Sequence, residues 1–202
     1  MPPLSGWTVW ITGFVGKVSA LDQVMHLFVN DFFIPITIFL IMLALWLGQG
    51  DPVRREHLQR GIMSAAVAIG ISSLIVKIMN IHIFWPHPYA IPDKLFDSAR
   101  YAMQTIHYPS GDPTFPSNAA TISFAAAIGV YLTNRKAGIV IYFLAFLWSF
   151  AHFYAGMHFF VDIIAGAAIG ILTAIFISKV FMPRIEPIPT LVMKLWRYLY
   201  LA

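Results

Sequence analysis

Residues 151–162 read AHFYAGMHFFVD, and residues 163–177 continue as IIAGAAIGILTAIFI without a charged side chain. The first segment holds His152, His158 and Asp162 in strongly apolar surroundings. His158 and Asp162 are four residues apart, so a continuous helix places both on one face, about one turn from each other. An ionisable residue at the head of a membrane span is costly to keep there and therefore indicates a functional site.

The pair formed by His158 and Asp162 has the chemistry of a catalytic nucleophile. A carboxylate beside an imidazole can hold one ring nitrogen as N–H and leave the other as a nucleophile or base. We therefore predict that Asp162 orients His158. The alternative is a buried His–Asp hydrogen bond that only joins two helices, since structural pairs occupy similar places.

The composition of the whole chain is that of an integral membrane protein. Of its 202 residues, 59% are hydrophobic and 11% are charged, whereas soluble domains carry about 25% charged residues. This size suits one all-α bundle, so we predict a single membrane-embedded domain over residues 1–202. Cysteine is absent, which excludes disulfides and thiolate nucleophiles. The net charge of +4 lies in loops and indicates membrane orientation, not nucleic-acid binding.

Apolar segments and the breaks between them predict a bundle of about five transmembrane spans after an N-terminal interfacial helix. Residues 2–20 are too interrupted to cross a bilayer and form the interfacial helix. Residues 50–60 form a polar loop, Pro35 is expected to kink the first span, and residues 86–116 form a long loop, which in a compact bundle is usually functional. The predicted spans cover residues 21–48, 61–85, 117–132, 139–155 and 158–181.

The distribution of basic residues predicts the orientation in the membrane. Most of them fall on one side of the five-span arrangement, so the positive-inside rule places the His158 end outside the cytoplasm. Polar clusters from three spans, residues 80–88, 116–120 and 152–162, meet at that outer face and indicate a site there. The basic residues on the cytoplasmic side are Arg54, Arg55, Arg60, Arg135, Lys136, Arg184, Lys194 and Arg197.

The middle cluster, FPSNAAT at residues 115–121, has the sequence of a helix N-terminus. Proline followed by Ser117 and Asn118 suits the start of a helix, and the free N–H groups there can bind an anion. A plain helix cap is the alternative. The first cluster, NIHIFWPHP at residues 80–88, is equally compatible with an interfacial aromatic belt.

An anion site beside a nucleophilic histidine predicts phosphoryl transfer. Helix-end N–H groups and cationic side chains would hold the non-bridging oxygens while His158 attacks phosphorus in line. Metal binding is the competing chemistry because the chain has seven histidines, but it contains no HExxH or similar close ligand pair. We therefore expect neither a metal nor another cofactor.

The three clusters, in this order, resemble the type 2 phosphatidic acid phosphatase (PAP2) superfamily. Its pattern is Lys six residues before Arg-Pro, then Pro-Ser-Gly-His, then Ser-Arg, five residues, His, three residues and Asp. Residues 151–162 are most similar to that pattern, residues 116–119 align with its second part and residues 80–88 with its first. The sequence DPTFPSNAAT, residues 112–121, looks most like that of the bacterial undecaprenyl pyrophosphate phosphatases of this superfamily.

The resemblance implies a lipid phosphatase that acts through a phosphohistidine intermediate. Its substrate would be a polyprenyl (undecaprenyl) pyrophosphate or a related lipid phosphate, its partners would be membrane lipids, and its active site would face outward from the cytoplasmic membrane. A lipid phosphotransferase and a non-catalytic lipid-phosphate-binding protein are the alternatives. The implied residues are His158 as nucleophile, Asp162 as its orienter, and Asn80, His87, Ser117, Asn118 and His152 as phosphate ligands, with Lys77 and His82 as further candidates.

Departures from the family pattern affect both binding and catalysis. Histidine replaces arginine at His87 and His152, and Asn80 replaces lysine; imidazole is charged only below a pKa of about 6.5, whereas guanidinium is always charged. Ala119 stands where the family carries the histidine that protonates the leaving group. We therefore expect an inactive chain, either an engineered and trapped variant or a natural pseudoenzyme.

Overall fold

The computed structural model describes residues 4–106 and 113–199, and the regular elements in those ranges are helical. This confirms the predicted all-α fold class. Pro109 and Asp112, both in the predicted long loop, lie outside the described residues. The helices are α1 (Ser5–Thr12), α2 (Ser19–Val29), α3 (Phe33–Leu47), α4 (Pro52–His82), α5 (Asp97–Ile106), α6 (Asn118–Tyr131), α7 (Arg135–Tyr154), α8 (Phe160–Phe176), α9 (Met182–Arg184) and α10 (Ile188–Tyr198).

Three described helical segments are long and apolar enough to cross a membrane, namely α4, α7 and the continuous segment Phe160–Arg184. Helices α2 and α3 together make a fourth candidate span, which is bent by 57°. The remaining predicted span is α6, an apolar helix of 14 residues, shorter than the roughly 20 residues that a bilayer core requires. Helix α6 packs most extensively against α8, α7 and α4, so it lies at the centre of the bundle.

The bend between α2 and α3 is set by Asn30. Its side-chain Oδ1 accepts hydrogen bonds from the backbone N–H groups of Phe32 and Phe33, at 2.9 and 3.1 Å. Such bonds compete with helix continuation and begin a new helix. The prediction that Pro35 kinks this span is wrong, because Pro35 is the third residue of α3, where a helix has no partner for the backbone N–H in any case.

Helix α4 begins nine residues earlier than the predicted second span, at Pro52 rather than at residue 61. Asp51 is its N-cap and accepts from the Val53 N–H at 3.1 Å, and proline at the first helical position favours this start. The prediction of a polar loop over residues 50–60 is therefore wrong from Pro52 onward. The basic residues of this segment lie on the end of a 31-residue helix.

The predicted long loop also contains a helix, α5. Its four buried residues are spaced as one face of a 3.6-residue period, and this face packs against α1 and α2. The sequence pattern was present, but the surrounding prolines suggested irregular structure. The buried residues are Ala99, Ala102, Met103 and Ile106.

Close packing between α6 and α8 determines where the polar clusters meet. Gly166 and Gly170, four residues apart on α8, lie so close to the backbone oxygens of Ser117 and Thr121 that a Cβ atom at either glycine would collide with them. Thr121 Oγ1 donates to the Gly166 carbonyl oxygen at 3.0 Å, and the Ser117 N–H donates to the Asp162 carbonyl oxygen at 3.1 Å. The N-termini of the two helices are thus held side by side.

Candidate active site

A cavity of about 470 Å³ lies beside the paired N-termini of α6 and α8, between the C-terminal parts of α4 and α7. It receives residues from all three polar clusters of the sequence. The predicted site residues that line it are Lys77, Asn80, His87, Asn118, Ala119, His152 and His158.

His158, Thr114 and Asp162 form a hydrogen-bonded group at the wall of this cavity. Thr114 Oγ1 donates to Asp162 Oδ2 at 2.6 Å and lies 3.0 Å from His158 Nδ1. The direct distance from His158 Nδ1 to Asp162 Oδ2 is 3.8 Å, which is too long for a hydrogen bond. The Thr114 hydroxyl group therefore connects the imidazole to the carboxylate.

His158 lies in the connection between α7 and α8, two residues before α8 begins. The prediction that His158 and Asp162 share the face of one helix is therefore wrong. Gly156 allows the sharp connection, because its φ of +71° is in the left-handed region that favours glycine, and a Cβ there would lie 2.9 Å from the Ala99 carbonyl oxygen. Asp162 accepts from the Phe159 N–H at 2.7 Å and thus also caps α8.

The surroundings of His158 define its tautomer and its protonation. Its Nδ1 lies 3.0 Å from the backbone carbonyl oxygen of Thr114, which can only accept, so Nδ1 carries the hydrogen and Nε2 is the nucleophilic nitrogen of the neutral ring. His158 is 8% exposed, and burial lowers the pKa of its imidazole below the usual value. The neutral, nucleophilic ring is therefore retained to a lower pH than in an exposed histidine.

His87 and His152 flank His158, with ring centroids 5.7 and 5.8 Å from its ring. His87 donates through Nδ1 to the Met157 carbonyl oxygen, and His152 donates through Nδ1 to the Trp148 carbonyl oxygen at 2.9 Å. A phosphate oxygen would therefore contact Nε2 of each ring. With Nδ1 as the donor, Nε2 of either ring can donate a hydrogen bond to an anion only when that ring is protonated.

Asp31, at the bend between α2 and α3, also lines the cavity. Its Oδ1 lies 3.6 Å from His152 Nε2, a distance at which a carboxylate stabilises an imidazolium ion. A bound phosphate would compete with Asp31 for the charge of His152. The sequence did not identify Asp31 as a site residue, because it was counted within a predicted span.

The N-terminus of α6 opens onto the cavity through Asn118 and Ala119, its first two residues. Its unpaired N–H groups and positive helix end favour an anion. Ser117 was predicted as a phosphate ligand, but the structure gives it another role. It is fully buried as the N-cap of α6, and its Oγ accepts from the Ala120 N–H at 3.4 Å.

Helix α4 contributes Lys77 and Asn80, which are three residues apart and face the cavity together. Lys77 is the one lysine or arginine among the described residues that line the cavity. His82 does not reach it, because two residues beyond Asn80 on a helix is about 200° around the axis, and His82 is exposed. His82 is therefore not among the described residues that line the cavity.

Comparison with known proteins places this geometry in a family. A family model described as the PAP2 superfamily matches residues 61–186, more than half of the chain. The chain belongs to the PAP2 superfamily. The bacitracin transport permease protein BcrC of Bacillus licheniformis is 32% identical over 66 residues, which cover 33% of this chain and 32% of that protein. The match thus spans about a third of that relative's length.

The PAP2 fold is also found in a solved structure. A transmembrane PAP2-type phosphatidylglycerolphosphate phosphatase from Bacillus subtilis superimposes with a TM-score of 0.58 at 17% identity, covering 93% of this chain and 90% of that one. The similarity confirms the membrane-embedded helical fold of this PAP2 chain. The match of the family model to residues 61–186 confirms the predicted resemblance to the superfamily.

Thr114 is a site residue of this PAP2 chain that the sequence did not reveal. It precedes the Phe115–Thr121 cluster by one residue, and a lone threonine carries no signal of contact with residues more than forty positions away. Its contacts with His158 and Asp162 give a prediction, made for a protein that carries the substitution Ala119→His. Thr114→Val should lower turnover about tenfold to a hundredfold, because 1–3 kcal/mol of orienting hydrogen bond is lost.

The matched control for this prediction is Thr114→Ser, which keeps the hydroxyl group and should keep most of the activity. Phosphate release and thermal unfolding would be measured for both variants. A Thr114→Val protein that is as active as its Thr114 parent would contradict the orienting role. An equal loss in Thr114→Ser would show that the methyl group, not the hydroxyl group, matters.

Proposed function

We propose that this chain binds a polyprenyl pyrophosphate or a related lipid phosphate in the cavity, with His158 as the nucleophile of a PAP2-type phosphatase reaction. The observation that supports this most is the placement of His87, His152 and His158 around one cavity at the α6 N-terminus. The two flanking imidazolium groups, the helix end and Lys77 would neutralise the phosphate.

In the proposed reaction, Nε2 of His158 attacks phosphorus, an N–P bond forms and the bond from phosphorus to the leaving oxygen breaks. The Asp162 carboxylate, acting through Thr114, stabilises the positive charge that develops on the ring. Water then attacks the phosphohistidine and releases phosphate. In this proposal the helix end and the cationic side chains neutralise the phosphate, so the step uses no metal.

Ala119 favours a pyrophosphate substrate over a monoester. A methyl side chain cannot protonate the leaving oxygen. A monoester would have to expel a strongly basic alkoxide, whereas a pyrophosphate expels a lipid phosphate, which is a much weaker base. The same residue supports a second candidate, a lipid-phosphate-binding protein that forms the complex without turning it over.

We also propose that the domain lies in the cytoplasmic membrane with the cavity facing outward. Arg60 and Asn80 are twenty residues apart on α4, roughly 30 Å along the axis, which matches the thickness of a bilayer hydrocarbon core. Arg60 and Arg197, which both contact Glu56, mark the end opposite to the cavity. That end carries the positive charge expected of the cytoplasmic side.

The phosphate site can be tested by binding of an alkyl phosphate between about pH 5 and pH 9. The chain as it stands should bind most tightly at low pH and lose affinity as pH rises, because His87 and His152 donate through Nε2 only when protonated. His87→Arg and His152→Arg should each weaken this pH dependence, since arginine stays charged throughout.

His82→Arg is the matched control, because His82 lies outside the cavity lining, and it should keep the pH dependence of the parent. Equal pH dependence in the parent and in both cavity arginine variants would mean that neither histidine binds the phosphate in place of a family arginine.

A further inference from the structure

A second and larger cavity, an open groove of about 730 Å³, adjoins the polar one. Helices α3, α4, α6, α7 and α10 supply its walls. Pro35, Ile122 and Trp148 line both cavities, so the groove begins where the polar cavity ends. We call it the chain groove, defined by its end residues Pro35 and Trp148 near the site and Trp46 and Trp196 at the far end.

The chain groove is built for an apolar occupant. Among its described lining residues Ser123 alone bears a hydroxyl group, and that hydroxyl already donates to the Ala119 carbonyl oxygen at 2.7 Å. Phe39 and Leu43 line it on α3 and are 62% and 38% exposed. The groove therefore opens sideways, toward the surface that faces lipid.

Trp46 and Trp196 delimit the far end of the chain groove. Their rings pack edge to face with centroids 5.9 Å apart, joining the end of α3 to α10. Pro35 and Trp46 are eleven residues apart on α3, roughly 16 Å along the axis. This is about half of the ~30 Å hydrocarbon core of a bilayer. The Gln59 side chain donates to the Trp46 carbonyl oxygen at 3.1 Å, so the groove occupies the half of the bundle that carries Arg60, away from the polar cavity.

We propose that the chain groove holds the hydrocarbon chain of the lipid whose phosphate occupies the polar cavity, with the end of the chain beside Trp46 and Trp196. This rests on the proposed function and adds the path of the chain. Continuity between the two cavities identifies the occupant, because a lipid phosphate is polar at one end and apolar beyond it. Groove binding yields little hydrophobic free energy, since a bilayer chain is already out of water, so fit against the walls determines selectivity.

The test uses the chain as it stands in bilayers, with a single-chain alkyl phosphate that carries bromine atoms either near the head group or at the far end. Bromine quenches tryptophan fluorescence only at short range. The far-end probe should quench Trp46 and Trp196, and this quenching should disappear in the Trp46→Phe/Trp196→Phe protein. Excess unbrominated alkyl phosphate should reverse the quenching. The brominated alcohol of the same chain length should cause little quenching.

Blocking the chain groove provides the matched pair of variants. Ala66 lines the groove from α4 and is exposed, so Ala66→Phe should fill it without disturbing the core. Ala168, on α8, is also exposed but outside the groove. Ala66→Phe should weaken binding of a long-chain alkyl phosphate about tenfold relative to a short-chain one, whereas Ala168→Phe should leave that ratio unchanged.

The outcomes separate the two proposals. Quenching that is equal for the phosphate and the alcohol, or an unchanged ratio in Ala66→Phe, would overturn the chain groove while leaving phosphate binding intact. Failure of short-chain and long-chain phosphates alike to bind the parent would overturn the proposed function, and the groove with it.

Discussion

Replacing Ala119 by histidine should raise phosphate release from a lipid pyrophosphate by about a hundredfold to ten-thousandfold, the contribution of a positioned general acid. Ala119 is the second residue of α6, lines the cavity and is half-buried. A side chain there extends over the same phosphate that the α6 N-terminus would hold. An imidazole at this position can give its proton to the leaving oxygen as Nε2 of His158 bonds to phosphorus.

The gain should be larger for a lipid monophosphate than for the pyrophosphate, because the alkoxide leaving group needs the proton more. Phosphate release from both lipids would be measured with excess chelator present, and activity should persist. Asn118→His, one residue away on the same helix end, is the matched control and should give no comparable gain. An Ala119→His protein that binds lipid phosphate but releases no phosphate from it would favour the second candidate function, a non-catalytic lipid-phosphate-binding protein.

Sequence predicted those parts of the site that lie at helix ends. When a polar cluster lies at the end of an apolar segment, hydropathy predicts the transmembrane span that carries it. The charge of the loops then predicts the side of the membrane on which the cluster lies. His158, Ala119 and His87 were located in this way, and the structure brings them to one cavity. Their meeting required only that three spans end at the same face.

Features that depend on contacts between distant segments were not predictable. Thr114 joins His158 to Asp162 across more than forty residues, and no local pattern distinguishes it from any other threonine. Asp31 reaches His152 only because Asn30 ends α2 and bends the chain. In each case the sequence supplied the chemical group and tertiary packing supplied its partner.

The position of His158 illustrates the same limit within a single motif. Spacing of four residues predicted a shared helix face, yet the left-handed Gly156 ends the helical path before His158 and moves it into the connection. The spacing then has a different meaning: Asp162 caps α8, and Thr114 closes the gap to the imidazole. The residues were the right ones, but their geometry came from a glycine.

In the Ala119→His background, His158→Ala should lower the rate of phosphate release at least about a thousandfold, because without the nucleophile the covalent intermediate cannot form. Among the described histidines, His158 is the one whose ring is oriented by a hydroxyl group and a carboxylate, those of Thr114 and Asp162. The parent should form a phosphoprotein that acid destroys, as expected for an N–P bond, and His158→Ala should form none. His82→Ala, outside the cavity, should behave as the parent.

The two substitutions also form a cycle with a definite expectation. Ala119→His should raise the rate of phosphate release only when His158 is present. Without the nucleophile the bond to the leaving group does not break, so an acid that protonates that group has no effect. The two effects should therefore be strongly non-additive, as expected for groups that act in one transition state. Should the gain from Ala119→His persist in His158→Ala, the attacking group would be water or another residue, and the phosphohistidine at His158 would have to be abandoned.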